Sequence, residues 1–113
     1  QSDRVFLVTD AMATAGSDIS RFSLNGRDVF RQDHRLTLAD GTLAGADLEM
    51  PRALSVMVNE VGDHVANAVS RATTTPAALL REGAGLARLD GQAKEALYFA
   101  DGLSGSPAKL TIS

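Results

Sequence analysis

A short apolar run near the start of the chain constrains its fold more than any other feature. Residues 5–8 read Val-Phe-Leu-Val, and the run ends at Thr9 and Asp10. Such a run is typical of a strand buried on both faces, as in a parallel sheet. A carboxylate at the C-terminal end of a barrel strand lies where barrel enzymes place catalytic groups. An Asp at this point can also simply cap a turn, so both interpretations of Asp10 stay open.

The predicted strand has no partner of its own kind in this chain. Parallel strands pair across helical crossovers, yet no second fully apolar run of this type occurs in the 113 residues. We therefore expect the chain to be the later part of a larger protein. Hydrophobic residues make up 44% of the sequence, which excludes a disordered chain.

The charge pattern excludes several classes of partner. The formal net charge is −3 and the eleven Lys and Arg residues are scattered, so neither nucleic acid nor an anionic membrane surface is expected. The absence of cysteine excludes a disulfide framework and a thiolate metal site, and it fits a cytoplasmic location. No apolar run approaches the length of a membrane span.

The region after Asp10 predicts a small antiparallel excursion. Asn25-Gly26 lies between alternating apolar residues, which is a strong hairpin signal because both turn positions need positive φ. A second turn is expected at Asp40-Gly41. These signals predict a β-hairpin excursion at about 22–42, after which residues 43–46 are expected to lead into a helix.

Apolar residues at helical spacing then predict two helices. The first stripe is Leu54, Met57, Val58 and Val61, and the second is Val65, Ala68, Val69 and Ala72. Pro51 is expected in or next to the first turn, with Asp47 or a neighbour as the cap and Gly62 at the end. A third helix is expected from a Thr75 cap and Pro76 to about Arg81. The tail predicts strands around residues 96–99 and 109–112, with turns at Asp90-Gly91 and Asp101-Gly102.

Three segments together resemble the N-acetylglucosamine-6-phosphate deacetylase family of the amidohydrolase superfamily. They are residues 8–12 (Val-Thr-Asp-Ala-Met) with Gly16, residues 40–45 (Asp-Gly-Thr-Leu-Ala-Gly) with Leu48 and Met50, and the helix pair that ends at Ala72-Thr73 before Pro76-Ala77. The resemblance covers about residues 4–86. The run at 40–45 is fairly specific to the family, whereas the strand-end Asp is shared across the superfamily.

The resemblance implies an α/β fold. Residues 1–84 would be the C-terminal part of a (β/α)8 TIM barrel, with residues 5–9 as its last strand and the hairpin excursion inserted. Residues 85–113 would be part of a small β-sandwich domain. The sequence at 87–113 departs from the family pattern, which weakens the assignment of the sandwich but does not affect Asp10.

The resemblance also implies the site. Asp10 would be the general base that takes a proton from water and later delivers it to the leaving amine. Leu43, Ala44 and Gly45 would contact the substrate, because small residues let the backbone approach a ligand closely; these three residues could equally be a tight lead-in to the helix. Met12 is expected to pack rather than to act.

The implied reaction is metal-dependent hydrolysis of N-acetylglucosamine 6-phosphate to glucosamine 6-phosphate and acetate, in amino-sugar catabolism. The cofactor would be a divalent metal ion of the zinc or iron type. Its ligands would lie mainly outside this chain, because His34 and His64 have no metal-ligand spacing and are expected to be solvated or capping residues. The partners would be the amino-sugar phosphate, the N-terminal part of the enzyme and, for the parent, a second copy in a homodimer. We expect these 113 residues alone to be inactive.

Two other interpretations remain open. The chain could come from another amidohydrolase with a different amide substrate, which would fit Asp10 equally well and residues 40–45 less well. It could also be a small non-enzymatic α+β interaction module, which would need no metal and would fold cooperatively alone.

Overall fold

The computed structural model describes residues 4–80, 95–99, 103 and 107–111. The chain divides into two compact units. We call Thr9–Glu49 the meander unit, and the described residues of Gln1–Val8 and Met50–Ser113 the helical unit. The combination of strands and helices confirms the predicted α/β class, and the barrel remains a prediction.

The meander unit is built on a four-stranded antiparallel sheet. Its strands are β1 (Arg21–Leu24), β2 (Arg27–Gln32), β3 (Arg35–Leu38) and β4 (Leu43–Ala46), paired in chain order. Val29 of β2 lies opposite Phe22 and Leu38, which places these three apolar side chains on one face. Val29 and Leu36 are fully buried and form the centre of the unit.

The predicted hairpin at Asn25-Gly26 is confirmed. Asn25 has φ +50° and Gly26 has φ +76°, which is the left-handed backbone that a two-residue hairpin turn needs. The next turn, at Asp33 (φ +49°) and His34 (φ +61°), has the same character but was not predicted. It contains no glycine, and Asp and His are among the few other residues that tolerate this conformation.

Residues 43–46 do not lead into a helix as predicted. They form β4, so the antiparallel region extends past residue 42 to Ala46. Gly45 pairs with Leu36 of β3, and an irregularity between Leu36 and Thr37 shifts the register. The run Leu-Ala-Gly-Ala has little intrinsic strand preference, so its pairing with β3 determines its structure.

The helical unit contains α1 (Met50–Asn59), α2 (Val65–Ala72) and the short α3 (Thr74–Ala77). Pro51 lies in the first turn of α1 as predicted, where its missing N–H costs no hydrogen bond. The third helix begins earlier than predicted. Thr73, not Thr75, is at its N-cap, and the Thr73 hydroxyl donates to the Val69 carbonyl at 2.7 Å. The predicted end at Arg81 lies outside the described residues.

The core of the helical unit is smaller than the predicted stripes. Its buried residues are Leu54, Ala68 and Leu103, and the partly buried residues packed against them are Leu7, Met50, Met57, Val58, Ala72 and Phe99. Val61, Val65 and Val69 were predicted to share the apolar faces but are 63%, 45% and 38% exposed. Val61 lies beyond the end of α1, so it cannot continue that helix's stripe.

Residues 5–9 were predicted to be the last strand of a barrel whose other strands lie outside this chain, and this stays a prediction. In the described structure the segment is not part of a sheet, and Val5, Phe6 and Val8 are 54%, 41% and 69% exposed. Only Leu7 packs against the core, and its N–H donates to the Arg71 carbonyl at 2.9 Å. A strand needs a neighbour to continue its hydrogen-bond ladder, and no described strand pairs with this segment.

Arg71 of α2 forms an ion pair with Asp63 and also contacts the segment that begins at Val5. Arg71 Nε donates to Asp63 Oδ2 at 2.8 Å, and both side chains are about nine-tenths buried. A second nitrogen of Arg71 donates to the Val5 carbonyl at 3.3 Å. The hydrogen bond from Arg71 holds the pKa of the Asp63 carboxyl below its ordinary value, outweighing the opposing effect of burial.

The tail contains β5 (Glu95–Tyr98) and β6 (Ala108–Thr111), paired antiparallel with Tyr98 opposite Ala108. This confirms the predicted β character of the tail, whereas its membership in a β-sandwich stays a prediction. The expected turn at Asp90-Gly91 lies outside the described residues, as does that at Asp101-Gly102. No helix in the described ranges is long and apolar enough to cross a membrane.

Candidate active site

Asp10 has an exposed side chain and a left-handed backbone, with φ +50°. Asp is one of the few residues besides Gly that adopts this conformation readily. The Ala11 N–H donates to the Thr9 hydroxyl at 3.3 Å, so the residue before Asp10 helps to close the bend.

The backbone of Asp10 is held by β4. The Ala46 N–H donates to the Asp10 carbonyl at 3.2 Å, and Ala11 forms an isolated parallel bridge with Ala46. Two of the segments singled out in the sequence, one around Asp10 and one around Gly45, therefore lie side by side. The prediction that these segments form one site is compatible with this contact.

Gly45 is buried, and the space a side chain would need there is already taken. A Cβ on Gly45 would lie 2.7 Å from Met12 Sδ, 3.0 Å from Met12 Cγ and 3.3 Å from the Asp10 carbonyl oxygen. A carbon–sulfur distance of 2.7 Å is too short for a van der Waals contact, so Met12 would have to move if Gly45 carried a side chain. The absence of a side chain at Gly45 thus lets the Asp10 loop pack directly on β4, with Met12 filling the gap.

The other two predicted substrate contacts differ from Gly45. Leu43 opens β4 opposite Thr37 and is 66% exposed, so it is free to meet a ligand. Ala44 is half-buried. Gly45 is the predicted contact residue that lies directly against the Asp10 loop in the approaches given above.

The loop after Asp10 carries further contacts that the sequence did not predict. The Gly16 N–H donates to Glu49 Oε1 at 2.7 Å, and the Ser17 hydroxyl donates to the Thr14 carbonyl at 3.0 Å. Thr14 is 1% exposed, and its hydroxyl has no hydrogen-bond partner among the described residues. Gly16 has φ +68°, which fits the loop that the small residues after Asp10 indicated.

Arg31 links the sheet to this loop. Its Nε donates to Asp47 Oδ2 at 2.8 Å and another of its nitrogens donates to the Ser17 carbonyl at 2.7 Å. The bond to Asp47 raises the pKa of Arg31 above its ordinary value. Asp47 was expected at a helix cap or on a solvated face, but its side chain is only 10% exposed because it accepts this bond.

Asp40, in the run at 40–45, has a structural role. Its Oδ1 accepts a hydrogen bond from the Thr42 N–H at 2.9 Å, which closes the turn that leads into β4. This bond lowers the pKa of the Asp40 carboxyl. The first part of the family-like run therefore shapes the turn, and its last part forms the strand beside Asp10.

The two histidines have local roles. His64 is the N-cap residue of α2, where its Nδ1 accepts from the Ala66 N–H at 3.3 Å, and His34 is exposed in the β2–β3 turn. Among the described parts of the chain, no three His, Cys, Asp or Glu side chains form a group that could hold a metal ion. These residues therefore do not fit a complete metal site of their own.

The arrangement supports one kind of chemistry directly. An exposed carboxylate on a backbone fixed by β4 can accept a proton from a water molecule and deliver it to a leaving group. The described residues around it supply packing and backbone hydrogen bonds, and no cationic side chain among them is paired with Asp10.

Comparison with known proteins gives a consistent set of relatives. No family model matches the chain. The chain is 36% identical over 80 residues to an N-acetylgalactosamine-6-phosphate deacetylase of Shewanella sp. (strain ANA-3), covering 71% of this chain and 20% of the relative. It is also 36% identical over 78 residues to an N-acetylgalactosamine-6-phosphate deacetylase of Escherichia coli O157:H7, covering 69% of this chain and 21% of the relative.

A solved structure agrees with these relatives. The crystal structure of N-acetylglucosamine-6-phosphate deacetylase from Pasteurella multocida is similar with a TM-score of 0.81 and 28% identity, covering 89% of this chain and 27% of that chain. The predicted resemblance to amino-sugar-phosphate deacetylases is confirmed. The chain spans about a fifth of the length of the two curated relatives named here.

Proposed function

We propose that this chain carries the catalytic aspartate of a deacetylase that hydrolyses the acetamide of an N-acetylated amino-sugar 6-phosphate. The main support is the direct packing of the Asp10 loop on Gly45. These residues belong to two of the three sequence segments that resemble deacetylases. The preferred substrate is N-acetylglucosamine 6-phosphate, and the products are glucosamine 6-phosphate and acetate.

Asp10 has the role of general base and then general acid. Its carboxylate takes a proton from the attacking water, and the same carboxylic acid then donates the proton to the nitrogen of the breaking amide bond. Its exposed side chain and its fixed, left-handed backbone support this role. A group fixed in this way loses little entropy when the reaction begins.

The residues of β4 are proposed to contact the substrate. Leu43, Ala44 and Gly45 follow the turn closed by Asp40 and lie in the strand that holds the Asp10 loop. The exposure of Leu43 supports a direct contact with the sugar phosphate. In this arrangement the strand aligns the acetamide with the Asp10 carboxylate.

The reaction is proposed to need a divalent metal ion of the zinc or iron type. The described residues do not provide its ligand set, so the ligands would come mainly from parts of the protein outside this chain. The same reasoning makes these 113 residues inactive alone. The parent enzyme is proposed to act as a homodimer in the cytoplasm.

A second candidate substrate is N-acetylgalactosamine 6-phosphate. The two curated relatives compared above are named for this sugar, whereas the solved structure is named for the glucosamine compound. The two sugars differ only in the orientation of one ring hydroxyl. An amidohydrolase with a quite different amide substrate is a more distant alternative, and a non-enzymatic interaction module is not favoured by any of these relatives.

The test is acetate release by the full-length protein that contains this chain, supplied with zinc or ferrous ion. Both N-acetylated sugar 6-phosphates, N-acetylglucosamine without phosphate and an unrelated cyclic imide would be compared by kcat/KM. The proposal expects the highest value for N-acetylglucosamine 6-phosphate and a large loss without the phosphate. Preference for the galactosamine compound would reassign the sugar, and preference for the imide would overturn the proposal.

A further inference from the structure

The contact between Met12 and Gly45 gives these two residues a role that the resemblance does not assign. Met12 lies two residues after Asp10, and its sulfur occupies the position where a side chain on Gly45 would begin, 2.7 Å from an ideal Cβ. Met12 is half-buried and Gly45 is buried, so this contact is part of the packing of the meander unit.

Strand β4 lies directly against the backbone of Asp10. The Ala46 N–H donates to the Asp10 carbonyl at 3.2 Å within the parallel bridge between Ala11 and Ala46, and a Cβ on Gly45 would lie 3.3 Å from the same carbonyl oxygen. This arrangement requires the loop to lie tightly against the strand. A methyl group on Gly45 would displace Met12 and press on the Asp10 carbonyl.

Asp10 also adopts a conformation that its neighbours must maintain. Its φ of +50° is available to Asp but is less favourable than the right-handed region, and Asp10 is not held in a two-residue hairpin turn as Asn25 is. The interactions with β4 are the ones that can hold it. The orientation of the carboxylate depends on this backbone conformation.

We propose that Gly45 is a positioning residue for Asp10 because it carries no side chain. The space left at Gly45 accommodates Met12, so the loop can lie close enough to β4 for the Ala46–Asp10 hydrogen bond, which fixes the direction of the Asp10 carboxylate. This inference rests on the proposed function for its catalytic consequence. Gly45 would then have two roles: it would let the Asp10 loop pack against β4, and it would contact the substrate as proposed above.

The test compares three variants of the full-length protein: Gly45→Ala, the double variant Gly45→Ala with Met12→Ala, and Gly26→Ala. Gly26 is a control because it lies in the turn between β1 and β2 of the same unit, and a side chain there meets nothing within 4 Å although its φ is +76°. Gly26→Ala therefore reports general strain in the sheet. The double variant removes the side chain that collides with the new methyl group.

The first readout is the split between kcat and KM for acetate release. Gly45→Ala is expected to lower kcat by about tenfold to a hundredfold, as small displacements of catalytic groups do, with a smaller change in KM. The double variant should recover most of the kcat, and Gly26→Ala should retain it. A rise in KM that Met12→Ala does not relieve would overturn the proposal in favour of substrate contact alone.

The second readout does not depend on activity. Hydrogen exchange of the Ala46 N–H should become faster in Gly45→Ala and slow again in the double variant. The Leu38 N–H, which donates to the Thr42 carbonyl at 2.8 Å, should exchange at an unchanged rate. If the protein hydrolyses neither sugar phosphate, the proposed function fails while this exchange pattern still supports the positioning contact. Unchanged exchange at Ala46 would overturn the positioning contact itself.

Discussion

Three residues show how one backbone conformation serves different purposes in the meander unit. Asp10, Asn25 and Asp33 all have φ close to +50°. Asn25 and Asp33 lie in two-residue turns between paired strands, where the conformation matches the twist of the hairpin. Asp10 lies at the end of an extended segment instead, and it is held by β4 through its carbonyl. The left-handed backbone conformation therefore forms a hairpin turn at Asn25 and at Asp33, and at Asp10 it occurs at an exposed carboxylate.

Thr14 offers a direct test of the packing of the Asp10 loop. Its buried hydroxyl has no hydrogen-bond partner among the described residues, and an unsatisfied buried group costs about 1–3 kcal/mol. Thr14→Val keeps the shape and removes the hydroxyl. We expect the free energy of unfolding in a denaturant titration to stay the same or rise by about 1 kcal/mol.

Thr14→Ser is the matched control for this change. It keeps the hydroxyl and removes a buried methyl group, so it should lower the free energy of unfolding by about 1 kcal/mol. A loss of stability in Thr14→Val as large as that in Thr14→Ser would show that the hydroxyl is hydrogen-bonded after all.

Single residues were predictable where their chemistry is local. Asn25-Gly26 predicted its turn correctly because both residues tolerate positive φ. The capping role of His64 was one of the two roles predicted for the histidines, because an N-cap bond involves only residues close in sequence. The partly buried pair of Arg31 and Asp47 was not predictable, because the partners are separated along the chain and meet only when β2 and β4 are in place.

Helix α2 depends on the charges at its two ends. Asp63, just before the helix, accepts hydrogen bonds from the His64 N–H at 3.0 Å, from Asn67 at 3.3 Å and from Arg71 at 2.8 Å. All three bonds favour the ionised carboxylate. The Asp63 carboxyl group thus joins the helix to the connection before it, and Arg71 also bonds the Val5 carbonyl.

This network predicts how the stability of the helical unit responds to acid. Because the folded pKa of Asp63 lies below its ordinary value of 3.8, the unfolded chain takes up the proton first. The contribution of Asp63 to stability is therefore complete above about pH 4 and is lost as the pH falls through the folded pKa. Asp63→Asn should be less stable at pH 7 and should lose less stability on acidification than the parent protein.

The measurement is the free energy of unfolding by denaturant between pH 2 and pH 7. Asp28→Asn is the control, because Asp28 forms an exposed pair with Arg21 at 3.4 Å and should leave the acid response unchanged. An identical slope below pH 4 in Asp63→Asn and the parent would contradict the role of Asp63.

Elements were predictable where their pattern was complete within a few turns. Helix α1 and helix α2 followed from apolar spacing and end signals, and β1 and β2 followed from alternation around a turn. Strand β4 was missed because Leu-Ala-Gly-Ala acquires its structure from pairing with β3. The segment at 5–8 stays a predicted strand: its composition favours a buried strand, and no described strand pairs with it, as expected for a strand whose partners lie outside this chain.

As a whole, the chain combines the predicted catalytic residue with a small described core. The meander unit holds Asp10 on β4, and in the helical unit Val61, Val65 and Val69 are exposed while the buried cluster found among the described residues is Leu54, Ala68 and Leu103. The Pasteurella multocida structure that it resembles is several times longer, since the chain covers 27% of it. These features agree with a chain whose site is completed by other parts of a deacetylase.

The sequence therefore predicted the resemblance to deacetylases and the α/β class, whereas the roles of Asp10, Leu43, Ala44 and Gly45 stay predictions. The resemblance depends on short motifs, and these were readable directly at residues 8–12 and 40–45. The contact of Met12 with Gly45 could not be predicted from the sequence, because a glycine does not indicate which residue will pack where its side chain would be. Only the coordinates of both segments reveal it.

The most direct measurement is acetate release from N-acetylglucosamine 6-phosphate by Asp10→Asn in the full-length protein, with Asp33→Asn as the control. Asn tolerates the left-handed backbone as Asp does, so both substitutions keep the local conformation and remove one carboxylate. We expect kcat to fall by about 10²–10⁴ in Asp10→Asn, with substrate binding retained, and to be unchanged in Asp33→Asn. Turnover by Asp10→Asn within about threefold of the parent would contradict the assignment of Asp10 as the general base.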